Sequence, residues 1–141
     1  MKITPIVTIN YLAVLAAALV NIVLGFLWYG PLFGKYWIKL MNFDKKKMEE
    51  AKKKGMAKTY AVMVVSTLLM SYILAHFVDY AQATTLIDGI IAGFWIWLGF
   101  VATIMIGTVL WEGKPMKLYL LNISYYLVAL SIMGAILAVW A

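Results

Sequence analysis

The single histidine, His76, stands three residues ahead of Asp79 near the end of an apolar run, with Asp88 across a short loop. An i,i+3 spacing puts His76 and Asp79 on one helix face. Histidine titrates near neutral pH, so the pair suits a proton-responsive switch or a weak, outward-facing metal site. The competing structural reading is an interfacial histidine beside two helix-terminal acids, with Asp88 suited to the positive end of a helix dipole. One imidazole and two separated carboxylates make a sparse ligand set. The structural reading is favoured, and neither a metal nor a cofactor is expected.

Other chemistry finds little support. The chain has no cysteine, which removes disulfides, thiolate metal sites and cysteine nucleophiles. It has no Gly-x-Ser-x-Gly elbow, phosphate loop or His-Glu-x-x-His. No carboxylate or lysine lies near the middle of an apolar run, where ion-coupled carriers place an ionisable group. That opposes a coupled antiporter and leaves a channel or an uncoupled, aromatic-lined carrier. Asn122-Ile-Ser124 has the form of a glycosylation acceptor, but it falls inside an apolar run and is read as a chance match. Trp95 and Trp97 are two residues apart, point to different sides, and are read as packing or lipid-facing residues.

Uncharged polar residues are better placed. Asn21 lies eight residues from Tyr29, Ser66 nine from Ala57, Thr103 eight from Trp111 and Tyr126 eight from Leu118. At about 1.5 Å per helical residue, these four groups share a layer roughly 12 Å from one membrane boundary. A polar side chain in hydrocarbon seeks a partner, so Asn21, Ser66, Thr103 and Tyr126 are expected to form an inter-helix hydrogen-bond layer worth about 0.6 kcal/mol per bond. Structural glue is the favoured role and a permeation path the alternative.

The elements that must carry this layer are membrane spans. Of 141 residues, 65% are hydrophobic and 13% charged, against roughly half and a quarter in soluble domains. A helix needs about 20 apolar residues to cross a bilayer. Four stretches qualify, about 9–29, 57–78, 87–111 and 118–140, within one domain over 1–141. The first run is too long for a cleaved signal segment and is read as retained. The fold class is all-α, an integral membrane four-helix bundle.

The net charge of +6 comes from lysine alone. Nine lysines, from Lys35 to Lys58, lie in the first connection, and Lys114 and Lys117 in the third; Lys2 stands alone on the other side. Positive charge stays in the cytoplasm, so both termini are expected outside and dual-topology insertion is disfavoured. The lysines are read as topology signals that touch anionic headgroups, with no nucleic-acid partner.

In the cytoplasmic loop, Trp28, Tyr29, Gly30, Pro31, Lys35 and Trp37 form an interfacial motif. Gly30 and Pro31 are expected to end the first span. Phe33, Tyr36, Trp37 and Leu40 then recur at helical spacing, predicting an amphipathic helix with its aromatic face in lipid. A second helix follows, with Asp44 as N-cap, i,i+4 pairs Glu49/Lys53 and Glu50/Lys54, and Gly55 as its end.

Helical periodicity also assigns packing faces. Span one presents Asn10, Ala13, Ala17, Asn21, Gly25 and Trp28. Span three presents Gly89, Ala92, Gly93, Gly99, Thr103 and Gly107, opposite Phe94, Leu98, Val101 and Met105. Span four has two faces, Tyr119, Asn122, Tyr126 and Ala129 on one and Ser124, Ser131, Ala135 and Ala138 on the other. Such a helix is central or shared with another subunit.

The segments Asn10-Tyr-Leu-Ala-Val-Leu-Ala-Ala-Ala, Leu24-Gly-Phe-Leu-Trp-Tyr-Gly-Pro-Leu-Phe-Gly-Lys-Tyr-Trp37, Gly99-Phe-Val-Ala-Thr103, Gly113-Lys-Pro-Met-Lys-Leu118 and Gly134-Ala-Ile-Leu-Ala-Val-Trp140 together resemble the small bacterial and archaeal membrane proteins of the domain-of-unknown-function family 1761. The likeness runs nearly end to end, and its Trp-Tyr-Gly-Pro-Leu-Phe-Gly-Lys segment is the most specific part. It departs in a longer, more charged lysine loop and in Asn122, where an acid is common. The resemblance implies a four-helix membrane fold and no assigned activity. The functional expectation is a non-enzymatic, homo-oligomeric structural or interaction module in the plasma membrane. The alternative is an oligomeric channel or uncoupled small-solute transporter around Asn21.

Overall fold

The structure is a computed structural model describing residues 8–42 and 45–140. Four helices are long and apolar enough to cross a bilayer: span one Tyr11–Leu32, span two Ala57–Tyr80, span three Leu86–Leu110 and span four Met116–Val139. Between the first two lie an interfacial helix, Gly34–Met41, and a lysine-rich helix, Lys45–Lys54. The described residues include no β-strand, and the chain is a multi-pass α-helical membrane protein.

Local chemistry sets the helix ends. The Asn10 side-chain oxygen accepts from the backbone N–H groups of Leu12 and Ala13, capping span one. Its amide nitrogen donates to the Trp140 carbonyl at 3.0 Å, tying the start of span one to the end of span four. Span three opens on Thr85, whose hydroxyl accepts from the Asp88 N–H at 3.1 Å. Pro115 precedes span four, where its missing N–H costs nothing. Gly55, with φ +85°, ends the lysine-rich helix; the proposed Asp44 cap lies outside the described residues.

Gly30 and Pro31 do not end span one. Residues Trp28–Leu32 form a wide π turn, with the Phe33 N–H donating to the Trp28 carbonyl at 2.9 Å. The wider turn takes up the proline, whose ring would clash with the preceding α-helical turn. The chain then reverses into the interfacial helix, where Gly34 sits so close to the Tyr29 carbonyl that a Cβ would lie 2.7 Å from its oxygen. The aromatic face of this helix is divided. Tyr36 is exposed, but Trp37 packs edge-on against Tyr29 at 5.6 Å, and Phe33 lies 4.8 Å from Trp28.

Span four is the hub. Half of its apolar window is buried, against 28%, 22% and 17% for spans one to three. Its closest neighbour is span three. There, Gly89 and Gly93 lie against the backbone of Gly134 and Leu130, with no room for a Cβ on Gly89, Gly93 or Gly134. In lipid the driving force is close packing of small residues, since hydrocarbon tails are as apolar as leucine. Ala13, Ala17, Leu74, Val78, Leu130, Met133 and Leu137 close the bundle at the end away from the lysines. The Ser71 hydroxyl donates to the Val14 carbonyl at 2.8 Å, fastening span two to span one there.

The small face of span three holds only over its first half. Trp97–Ala102 forms a second π turn. One extra residue in a turn rotates everything beyond it by roughly 100°. Ala102 therefore becomes the buried residue, while Gly99 and Thr103 are exposed. The wide turn is braced from span four, whose Tyr119 hydroxyl donates to the Ala102 carbonyl at 2.6 Å. In return, Trp97 Nε1 donates to the Ile123 carbonyl at 2.7 Å.

Candidate functional site: an uncharged cleft between spans one, two and four

At its lysine-rich end the bundle opens into a cleft of about 750 Å³, within the range of small-molecule sites. Spans one and four make one wall. Tyr125 of span four donates to Asn21 Oδ1 of span one at 2.5 Å, with the Asn21 backbone carbonyl at 3.1 Å. In the reverse sense, Tyr29 of span one donates to Asn122 Oδ1 of span four at 2.8 Å. Gly25 makes room for the first pair, since a Cβ there would sit 3.1 Å from the Tyr125 hydroxyl. The rings interlock edge-on, Tyr125 lying 5.3 Å from Tyr29 and 5.0 Å from Tyr126. Such contacts add about 0.5–1.5 kcal/mol each beyond the area they bury.

Both tyrosines donate to an amide oxygen. The amide nitrogens of Asn21 and Asn122 have no hydrogen-bond partner among the described residues. The opposite wall is soft: Met63 and Met70 of span two, and Met105 of span three. Ser66 and Thr67 add hydroxyls, Phe26 and Tyr60 extend the aromatic lining, and Trp37 and Met41 of the interfacial helix sit at the lysine-rich rim. Among the described residues lining the cleft there is no Asp, Glu, Lys or His. The arrangement can bind and orient a neutral molecule. It has no side chain that exchanges a proton near neutral pH.

The sequence-proposed residues divide accordingly. Asn21, Ser66 and Tyr126 line the cleft, as do Tyr29 and Trp37 of the interfacial motif. Thr103 does not meet them, because its hydroxyl donates to the Gly99 carbonyl of its own helix at 2.6 Å. Trp28 packs behind the cleft, 6.0 Å from Tyr125, and Gly30 and Pro31 belong to the wide turn. Lys35 is exposed. His76 lies near the other end of span two, its Nδ1 2.8 Å from the Tyr72 carbonyl and its ring between Tyr72 and Tyr80. Asp79 is exposed, and the described residues contain no cluster of three metal-capable side chains.

Sequence reasoning missed Tyr125, the centre of the wall, and did not couple Tyr29 to Asn122. A signal was present: Asn21 and Tyr29 on one span, Asn122 and Tyr125 on another, form two amide–phenol sets that antiparallel helices can cross-match.

No curated protein and no solved structure matches this chain. A family comparison does, over residues 12–138, nearly the whole length, to the family described as protein of unknown function DUF1761. With its four apolar helices and their end-to-end correspondence, the chain belongs to the DUF1761 family.

Proposed function

We propose that the protein is a non-enzymatic membrane module that holds a small uncharged molecule in the cleft between spans one, two and four. The observation that carries this is a 750 Å³ space lined by aromatic, methionine, amide and hydroxyl groups and by no acid or base. A charge taken from water into such a space would go unpaired. This is the binding step of the uncoupled-carrier reading. Lysine placement supports an orientation: the first and third connections, at the cleft end of the bundle, carry eleven of the twelve lysines, which favours the cleft toward the cytoplasm and both termini outside the plasma membrane. The lysine-rich helix would then rest on anionic headgroups. The second reading, an oligomeric structural module, is favoured by Gly99, exposed on span three with nothing within 4 Å of where its Cβ would be.

Photolabelling tests the cleft. In nanodiscs, a diazirine-bearing monoacylglycerol is expected to label peptides carrying Met63, Met70 or Tyr60, and filling the space by Met63→Trp should reduce that labelling at least tenfold. Labelling spread over lipid-facing positions and indifferent to Met63→Trp would reject the proposal. Orientation has its own measurement. The chain has no cysteine, so Lys52→Cys can be probed alone, and an impermeant maleimide should leave it unmodified in intact cells and react after lysis.

A further inference from the structure

The two walls of the cleft differ in stiffness and in chemistry, and the difference specifies a ligand class. One wall is held by two crossed tyrosine–asparagine hydrogen bonds and interlocked rings, and Asn21 and Asn122, which line the space, have amide N–H₂ groups without a partner among the described residues. Thr67, more than nine-tenths buried, lines the same space with a hydroxyl that has no partner among the described residues. The facing wall is methionine, which is unbranched, polarizable and able to repack around different shapes. A stiff wall of neutral hydrogen-bond donors reads a fixed acceptor. A pliable apolar wall tolerates a variable body.

Resting on the ligand-holding reading above, we propose that the cleft recognises the carbonyl oxygen of a neutral amphiphile. The Asn122, Asn21 and Thr67 side chains line the space and supply the donors from which the carbonyl accepts, and the apolar chain lies against Met63, Met70 and Met105. A donor left unpaired in a low-dielectric site is costly, so such a site strongly rejects an analogue lacking the acceptor. Cationic heads are the contrasting class, since aromatic rings attract quaternary ammonium. The free donors here oppose them, because N–H dipoles present their positive ends. The carbonyl compound is either an ester lipid of the bilayer itself or a free molecule from the aqueous phase.

Three photoreactive probes with one diazirine chain decide the matter: a monoacylglycerol ester, its ether analogue without the carbonyl, and an alkyltrimethylammonium. The ester is expected to label the cleft at least tenfold more efficiently than the ether, with the ammonium weaker still. Tyr29→Phe/Asn122→Leu removes both partners of one bond together, the substitution least harmful to the fold. It should bring ester labelling down toward the ether level, and a thermal midpoint near that of the parent protein would show that it folds. Thr67→Val gives an independent reduction of severalfold. Equal ester and ether labelling, both abolished by Met63→Trp, overturns the carbonyl inference and leaves the ligand-holding reading standing. Preference for the ammonium overturns it in favour of cation recognition. No cleft labelling by any probe sinks both. Mass analysis of lipid extracted from nanodisc-purified protein separates the sources. An enriched ester lipid identifies the bilayer, and its absence, with labelling by a short-chain ester added from water, identifies a free molecule.

Discussion

Gly93→Ala is expected to destabilise the folded protein by on the order of 3 kcal/mol, lowering the thermal midpoint by roughly 10 °C. Two opposing terms compete at this position. Alanine is the better helix former by about 1 kcal/mol, and that term alone would raise stability. But the new methyl would overlap the Leu130 carbonyl and crowd the Ser131 N–H, so two backbones must separate along the whole crossing. Separation also opens the contacts of Gly89 with Gly134, losing the close packing that holds helices together in lipid. Gly99→Ala is the internal control. Nothing lies within 4 Å of its Cβ position, so the midpoint should stay level or rise slightly. Tryptophan-fluorescence unfolding of both variants in one detergent makes the measurement, and equal midpoints would refute the role given to the crossing.

Tyr125→Ala is expected to cost about 4 kcal/mol, in the range for deleting a buried aromatic ring, while Tyr125→Phe costs about 1.5 kcal/mol. The second figure weighs a range of about 1–3 kcal/mol for an unsatisfied buried acceptor in water-soluble proteins against about 0.6, reaching 1.7, for hydrogen bonds in bilayers. The upper end of the bilayer range applies because Asn21 and Tyr125 are both buried. The pair is also asymmetric. In Tyr125→Phe, Asn21 Oδ1 loses its only donor among the described residues. In Asn21→Leu, the Tyr125 hydroxyl still has the residue-21 carbonyl, at 3.1 Å in the parent structure, to donate to. Asn21→Leu should therefore cost less than Tyr125→Phe, and the double variant should resemble Asn21→Leu. A double-mutant cycle with a coupling of zero would show that the bond contributes nothing.

The spans could be read from composition because hydrocarbon imposes one requirement on every residue for some twenty positions. Span two starts at Ala57 as expected, and spans three and four begin within two residues of the expected positions. Span one runs three residues further, to Leu32, because proline stops an α-helix but not the π turn that forms there. The small residues of span one gave its packing face correctly: Ala13, Ala17 and Asn21 are all buried. The lower half of span three was not legible, since a 100° wheel assumes uniform winding and Trp97–Ala102 is wound more loosely. Depth along the helix placed Tyr126 in the polar layer with Asn21, whereas the residue that bonds Asn21 is Tyr125. The two differ by one residue on span four, and the choice depends on how that helix is rotated against span one. The cleft itself was invisible, because a cavity depends on where helices diverge, and no residue type announces divergence.

The burial of span four carries a consequence for how the molecule is made. Ribosomes deliver the four helices in order, so spans one to three reach the bilayer while the helix that touches each of them is still unsynthesised. Each of the three can sit in lipid alone as a satisfied helix, and spans one and two can already pack on each other, but span three still lacks its main partner. The last step is thus a docking event: arrival of span four creates the glycine crossing, the tyrosine–asparagine cross-links and one wall of the cleft together. A nascent chain halted before Met116 would be inserted in the membrane and still lack one wall of the cleft.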